Sequence, residues 1–447
     1  MIRQKEYHAE DRISQLPDEV LVSILSCIPI NEAARTSVLS HRWEKLWTFC
    51  SHLVFDGAKR LYNIQCQIKG IEHIRKSVNE ILDIERGRYI NWVNHILESC
   101  HAGAIDKFMV RFDLSDKYRG EIDEWVRFAF EKKVKRFELD LSSYNISCYQ
   151  VSCYPLTLQA LPLPSSISLT SLILKCVNVN EEVLENIISN SPFLECLSVG
   201  DSSSLVHLRV AGPALCLKYV EIVFCFNLES LELHAPNLLS LKYSGAKTNI
   251  SFVNIPNLVE ISLGGEDLPY FARKLCGLST HFSKLQMLEL DVLQLEVIET
   301  KMERLKYPIF SQLKQLKLHV DTRSTASLLF FSRLIKACPS LYRLALELKL
   351  GSVNPSDRRK MVKARSRHYS LKVVEVTGFV GQTVDTEFCI YLIKSAIMLE
   401  KIIIKPCFLD ARGSAYENDY VEVEKAGRER AEQLRSKYCL GDKLVIL

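Results

Sequence analysis

The chain has no apolar run close to the ~20 residues that a membrane-spanning helix requires. Its first fifteen residues are too charged for a secretory leader, so a soluble protein of the cytoplasm or nucleus is expected. Neither sign of charge dominates: 57 Lys and Arg stand against 53 Asp and Glu, a formal +4. Nucleic-acid binding by electrostatics needs a concentrated basic face, so nucleic acid is not the expected partner. Paired cysteine spacing is missing as well. None of the fifteen cysteines forms a Cys-x-x-Cys pair, and the nearest two, Cys148 and Cys153, have no second pair and no nearby His to complete a zinc site. Cys176, Cys196, Cys338 and Cys389 lie inside apolar stretches and read as reduced core thiols. There is no Gly-x-Ser-x-Gly, no phosphate-binding glycine loop and no His-Glu-x-x-His, and the eleven histidines are dispersed. A non-catalytic protein with no cofactor and no metal is therefore expected.

What is present begins at Asp11-Arg12-Ile13-Ser14-Gln15-Leu16-Pro17-Asp18-Glu19. Pro17 suits a first helical position, Asp18 and Glu19 follow where the helix dipole favours negative charge, and Pro29 stops the helix. Leu16, Val20, Leu21, Ile24, Leu25 and Ile28 form one apolar stripe on it. Asn31 can cap a second helix carrying Ala33, Ala34 and Val38, and Ser40 a third that puts Trp43, Leu46 and Trp47 on one face. Three such short helices cannot bury their own apolar residues and look built for docking.

These residues resemble an F-box of the flowering-plant type, in the Asp-Arg-Ile-Ser-x-Leu-Pro-Asp-Glu opening, the Ile-Leu-Ser-x-x-Pro middle and the Arg-Thr-Ser-x-Leu-Ser-x-Arg-Trp-x-x-Leu-Trp close. Cys27 and Ala34 are mild departures. The resemblance implies binding to a Skp-type adaptor and, through it, to a cullin-RING (SCF) ubiquitin ligase. It also implies that Pro29, Leu39, Ser40 and Arg42 join Pro17, the apolar stripe, Val38, Trp43, Leu46 and Trp47 in contacting the adaptor.

Further along, Leu-x-x-Leu-x-Leu recurs. The openers Leu285, Leu313, Leu341, Leu371 and Leu399 are spaced by 28, 28, 30 and 28 residues. In each copy the last two apolar positions are two apart, so a short strand sends both inward. This is leucine-rich-repeat spacing. Between strands the sequence offers helices at 325–338, 181–189 and 386–399, and earlier ones at 89–100 and 121–132, so the solenoid is expected to start near residue 88. Residues 194–260 differ. Strand signals at Leu194, Leu205, Leu217, Leu228, Leu238 and Leu258 leave no room for helices, and every second onset is 21 to 23 residues apart from Leu194 to Leu238. Alternate strands should therefore lie on opposite faces, with Pro192, Pro213, Pro236 and Pro256 at the bends.

From about Met361 the chain resembles the FBD module of plant F-box proteins, through Leu371-Lys372-Val373-Val374-Glu375-Val376-Thr377-Gly378-Phe379, Leu399-Glu400-Lys401-Ile402-Ile403-Ile404 and the ending Gly427-Arg428-Glu429-Arg430-Ala431-Glu432-Gln433-Leu434. The run at 358–368 is the densest basic cluster and fits a solvated loop or a nuclear import signal.

The expected architecture is an α/β chain: a disordered N-terminus at 1–10, a three-helix F-box at 11–50, a variable connecting segment at 51–87, a leucine-rich-repeat solenoid at 88–360 and an FBD module closing it at 361–447. The solenoid should be a horseshoe with a parallel inner sheet and a strand-rich outer face in its middle repeats. The expected function is substrate recognition in an SCF ubiquitin ligase, with a repeat scaffold of no degradative role as the alternative. Outward strand positions form columns on the inner sheet, which makes Glu289, Asp291, Lys317, His319, Arg343, Glu347, Glu375 and Lys401 candidates for contact with a protein target.

Overall fold

The computed structural model describes residues 13, 15–68, 75–142, 153–162, 168–212, 216–265, 283–293, 306–322, 327–350, 367–406 and 417–447. The N-terminal ten residues, Cys148, Pro213 and residues 358–366 of the basic run lie outside them. Two compact units result: 1–205 with 212–216, and 206–211 with 217–447.

In the first unit, helices α1 (Asp18–Leu25) and α2 (Ile30–Arg35) and single-turn 3-10 helices at Thr36–Val38 and Leu46–Phe49 precede strand β1 (His52–Asp56). Helices α3 (Ala58–Ile68) and α4 (Arg75–Ser99) lead to β2 (Lys107–Arg111), α5 (Arg119–Glu131) to β3 (Arg136–Asp140), and β5 (Ser171–Lys175) follows β4 (Tyr154–Pro155). Then come β6 (Val177–Asn178), α6 (Glu181–Asn190) and β7 (Cys196–Gly200). Strands β1, β2, β3, β5 and β7 pair in parallel in that order, and β4 pairs with β6. Parallel neighbours require a crossover, which helices supply between β1 and β2, β2 and β3, and β5 and β7. Register aligns Leu53, Phe108, Phe137, Leu172 and Leu197 in one inward ladder and Phe55, Val110, Leu139, Leu174 and Val199 in a second. None of these ten is more than 1% exposed.

The sheet therefore begins at His52, well ahead of residue 88, and the stretch expected to be a connecting segment supplies its first strand. The opener of that rung is Cys50, fully buried where later rungs place Ile105, Val134, Leu169 and Leu194. A cysteine in the leucine slot hides the repeat.

The second unit holds β8 (His207–Ala211), β9 (Tyr219–Val223), β10 (Ser230–His234), β11 (Ser240–Ser244), β12 (Asn249–Asn254) and β13 (Glu260–Gly264). It continues with β14 (Met287–Val292), β15 (Gln315–Thr322), α7 (Phe331–Lys336), β16 (Arg343–Leu350), β17 (Val373–Thr377) and α8 (Thr383–Ser395). Strand β18 (Lys401–Lys405), α9 (Glu417–Lys437) and β19 (Leu444–Ile446) end the chain. Nine strands, β9, β11 and β13 to β19, form its main parallel sheet, while β8, β10 and β12 form a second parallel sheet. The expected alternation of strands between two faces is thus present. The inward ladders are Leu288, Leu316, Leu344, Val374, Ile402 and Leu444, and Leu290, Leu318, Leu346, Val376, Ile404 and Ile446.

One turn recurs ahead of the strands. The amide of the opener bonds the carbonyl three residues back, from Leu194 to Ser191, Leu228 to Cys225, Leu238 to Ala235, Leu258 to Ile255, Leu313 to Phe310, Leu341 to Cys338 and Leu399 to Ala396. Pro192, Pro236, Pro256 and Pro339 take the second position of this turn, whose amide is not needed and whose φ suits proline.

Candidate functional site

At the N-terminal end, Pro17 is the residue before α1 (φ −58°, ψ 152°), one position earlier than expected, and its carbonyl accepts the Val20 and Leu21 amides at 3.1 Å. Pro29 likewise precedes α2, so the helix starts on Ile30 and Asn31 does not cap it. The third segment is a turn from Ser40 running into the 3-10 helix at Leu46–Phe49 rather than an α-helix. Side chains compete there for backbone carbonyls, Ser37 Oγ donating to Ala34 and Glu44 and Thr48 Oγ1 to Lys45.

The expected adaptor-binding residues divide by burial. Leu21, Leu25, Trp43 and Leu46 are buried and hold the segment together, while Leu16 and Trp47 are half-buried. Val20, Ile24, Ile28, Val38 and Leu39 are exposed, Val38 at 88% and Leu39 at 64%, alongside exposed Pro17, Pro29 and Ser40. Arg42 is exposed and reaches back along the chain: Nη2 donates to the Leu16 carbonyl at 2.5 Å and to Asp18 Oδ1 at 2.6 Å, tying the entry of α1 to the third segment.

On the main sheet of the second unit, the outward positions of β14 to β18 fall into three rows. The first row is Met287, Gln315, Arg343, Val373 and Lys401, the second Glu289, Lys317, Ala345, Glu375 and Ile403, and the third Asp291, His319, Glu347, Thr377 and Lys405. Most of the expected target contacts meet one another across strands. His319 lies between two carboxylates, with Nδ1 3.0 Å from Glu347 and Nε2 3.4 Å from Glu289. Glu375 takes Arg343 at 2.5 Å and Lys405 at 2.6 Å. Hydrogen bonding to Glu289, the more buried of the two acids although the farther, leads the effects that raise the His319 pKa above its ordinary value. The same contact lowers that of Glu289, and Lys405, then Arg343, lower that of Glu375. Asp291 differs: burial raises its pKa, and it joins no ion pair among the described residues. A cavity of about 300 Å³ opens over this part of the sheet, lined by Ser244, Gly264, Glu289, Asp291, His319 and Glu347 among others.

The family model "F-box domain" matches residues 13–54, and the model "At1g61320/AtMIF1, LRR domain" matches residues 96–428, about three quarters of the chain. The chain belongs to the F-box/LRR-repeat family. Similar proteins of Arabidopsis thaliana include F-box/FBD/LRR-repeat protein At3g51530, 27% identical over 58% of this chain and 55% of that protein. F-box/LRR-repeat protein At3g59200 is 26% identical over 78% of this chain and 71% of its own length. F-box/FBD/LRR-repeat protein At1g13570 is 25% identical over 90% and 92%. Within this F-box/LRR-repeat chain, Ser244 and Gly264 escaped the sequence reading because they belong to rungs that lack the 28-residue period. Only the register of β11, β13 and β14 brings them beside Asp291.

Proposed function

We propose that the protein is a substrate receptor of an SCF ubiquitin ligase, working in the cytoplasm or nucleus. The F-box docks on a Skp-type adaptor, and the outward rows of the main sheet hold a protein target, so the chain contributes proximity and not chemistry. The observation that carries the reading is a set of exposed apolar residues, Val20 and Ile24 on α1, Ile28 in the turn after it, and Val38 and Leu39 at the 3-10 turn, in a segment whose Leu21, Leu25, Ile30 and Ala33 are already buried in the chain. Apolar residues left exposed on so short a helical segment are what a partner's groove would cover.

Replacing Leu16 and Pro17 by Ala tests it. The double variant should bind adaptor at least about tenfold more weakly, because it loses a docking side chain and the residue that starts α1, while the sheet units keep their melting behaviour. Wild-type adaptor affinity would overturn the docking assignment. For the target face, Lys317→Glu, Arg343→Glu and Glu375→Lys should abolish capture of targets found by proximity labelling under proteasome inhibition, with adaptor binding intact. Unchanged capture in all three moves the target site off these rows. Deletion of residues 11–47 should stabilise a captured target; a target that is captured but never stabilised points to a scaffold.

A further inference from the structure

Across the main sheet of the second unit, one row of outward positions runs Ser244, Gly264, Asp291, His319 and Glu347 on β11, β13, β14, β15 and β16. Ser244 is only 7% exposed, and its hydroxyl oxygen has no hydrogen-bond partner among the described residues. A buried hydroxyl without a partner is costly to the fold, so its presence asks for a reason. Gly264 stands next to it without a side chain. A Cβ at that position would lie 2.9 Å from Ser244 Oγ, 2.9 Å from Asp291 Cβ and 3.3 Å from Asp291 Oδ2. The unused hydroxyl and the unpaired carboxylate thus converge over the bare Cα of Gly264, in a notch too narrow for a side chain of that residue's own, on the lining of the 300 Å³ cavity. Strands β11 and β13 end on Ser244 and Gly264, so the notch sits at the carboxyl ends of these two strands, the side from which open α/β sheets take ligands.

The walls set the sign of the ligand. Glu289, Asp291, Asp321 and Glu347 line the cavity against Lys242, Lys349 and His319, of which Lys242 is already held by Glu221 at 2.9 Å and His319 by Glu289 and Glu347, so acid remains in excess. Two acceptors separated by a glycine suit a flat group with several donors and no acceptor better than a point charge. We propose that this notch takes an arginine side chain of the protein target, its guanidinium hydrogen-bonded to Asp291 and Ser244. The proposal deepens the target-face reading and rests on it for the source of the arginine.

The experiment titrates the full chain with N-acetyl-arginine amide, with N-acetyl-lysine amide as the comparison, following the His319 imidazole resonance assigned through His319→Gln. Saturable binding of the arginine probe is expected, stronger than that of the lysine probe, and weakened about tenfold or more by Asp291→Asn. Ser244→Ala should weaken it about threefold while leaving the melting temperature unchanged or higher, because the variant removes an unsatisfied hydroxyl. A purely structural serine would lower it. Gly264→Ala should fill the notch and abolish binding; should that variant melt early, Asp291→Asn, which keeps the shape, decides. Absence of saturable binding, or binding indifferent to Asp291→Asn and Ser244→Ala, overturns the proposal even if reversals at Lys317, Arg343 and Glu375 still abolish target capture. Arginine binding that persists when those reversals spare capture leaves the notch standing and removes the target-face reading instead.

Discussion

His319 shows how much a single position on this sheet depends on its neighbours. Alone it would be an exposed ring beside a strand, yet Glu289 and Glu347 flank it and favour its charged form. Its pKa is raised, so the bridge adds stability fully below the unfolded value of ~6.5, and that stability is lost as pH rises through the higher folded value. The His319 ring should therefore titrate above ~6.5 by NMR and fall back toward it in Glu289→Gln; titration at or below that value in the wild type means the bridge does not form in solution. Asp385 is shifted in the same direction for a different reason, its neutral form being the one favoured. It is fully buried at the start of α8 and accepts the amides of Val380 at 2.8 Å, Gly381 at 2.9 Å and Thr386 at 2.6 Å, but burial outweighs those bonds and raises its pKa to about 6. Because the folded value lies above the unfolded ~3.9, the native state holds the extra proton, and stability should fall as pH rises from about 4 through about 6. Denaturant melts of Asp385→Asn across that window should lose this slope. A slope equal to the wild type's would mean the carboxyl ionises without cost.

Among the elements, the rungs of β14 to β18 test the packing most directly. Leu344 is fully buried and aligns with Leu316 and Val374 on the strands either side. Leu344→Asp places a carboxylate with no partner in that ladder and should unfold or aggregate the second unit. Arg343→Ala, one residue away and facing out, gives up only a partly exposed pair with Glu375 and should cost no more than about 1 kcal/mol. Unchanged circular dichroism and melting temperature in the Asp variant would contradict the register. These strands were legible because Leu-x-x-Leu-x-Leu states both period and facing. Strand β12 was not, since Asn-Ile-Ser-Phe-Val-Asn buries fully only Ile250 and its pairing partner β10 supplies most of the reason for it to be extended. Strand β1 was hidden by Cys50, and α8 starts at Thr383 because Asp385 gathers the amides ahead of it, which no periodicity reveals. The candidate site followed the same division. Outward rows follow from alternation along one strand, whereas the pairing of Asp291 with the notch at Gly264 depends on register between strands of unequal spacing.

At the scale of the molecule, the F-box runs straight into the repeats, because the 3-10 helix at Leu46–Phe49 ends on Cys50, which is also the opener of the first rung. The seam is bonded as well as packed. The Ser51 amide donates to Ser26 Oγ at 3.3 Å, the His101 amide to the Thr48 carbonyl at 2.7 Å, and Ser51 Oγ to Asp106 at 2.8 Å. A helical segment this short buries too little surface to be stable alone, and the rung that supports it leaves Val20, Ile24, Ile28, Val38 and Leu39 exposed. Residues 1–50 in isolation should therefore show no cooperative melting transition and gain helix only on adding adaptor, whereas residues 1–205, which keep β1 and β2 beneath the F-box, should melt cooperatively. Holding the F-box on a rung also fixes its orientation to the sheet of its own unit, which matters if the chain acts by proximity. Calorimetry on the two fragments decides the point: a cooperative transition from residues 1–50 alone would make the F-box an autonomous domain and the bonded seam incidental.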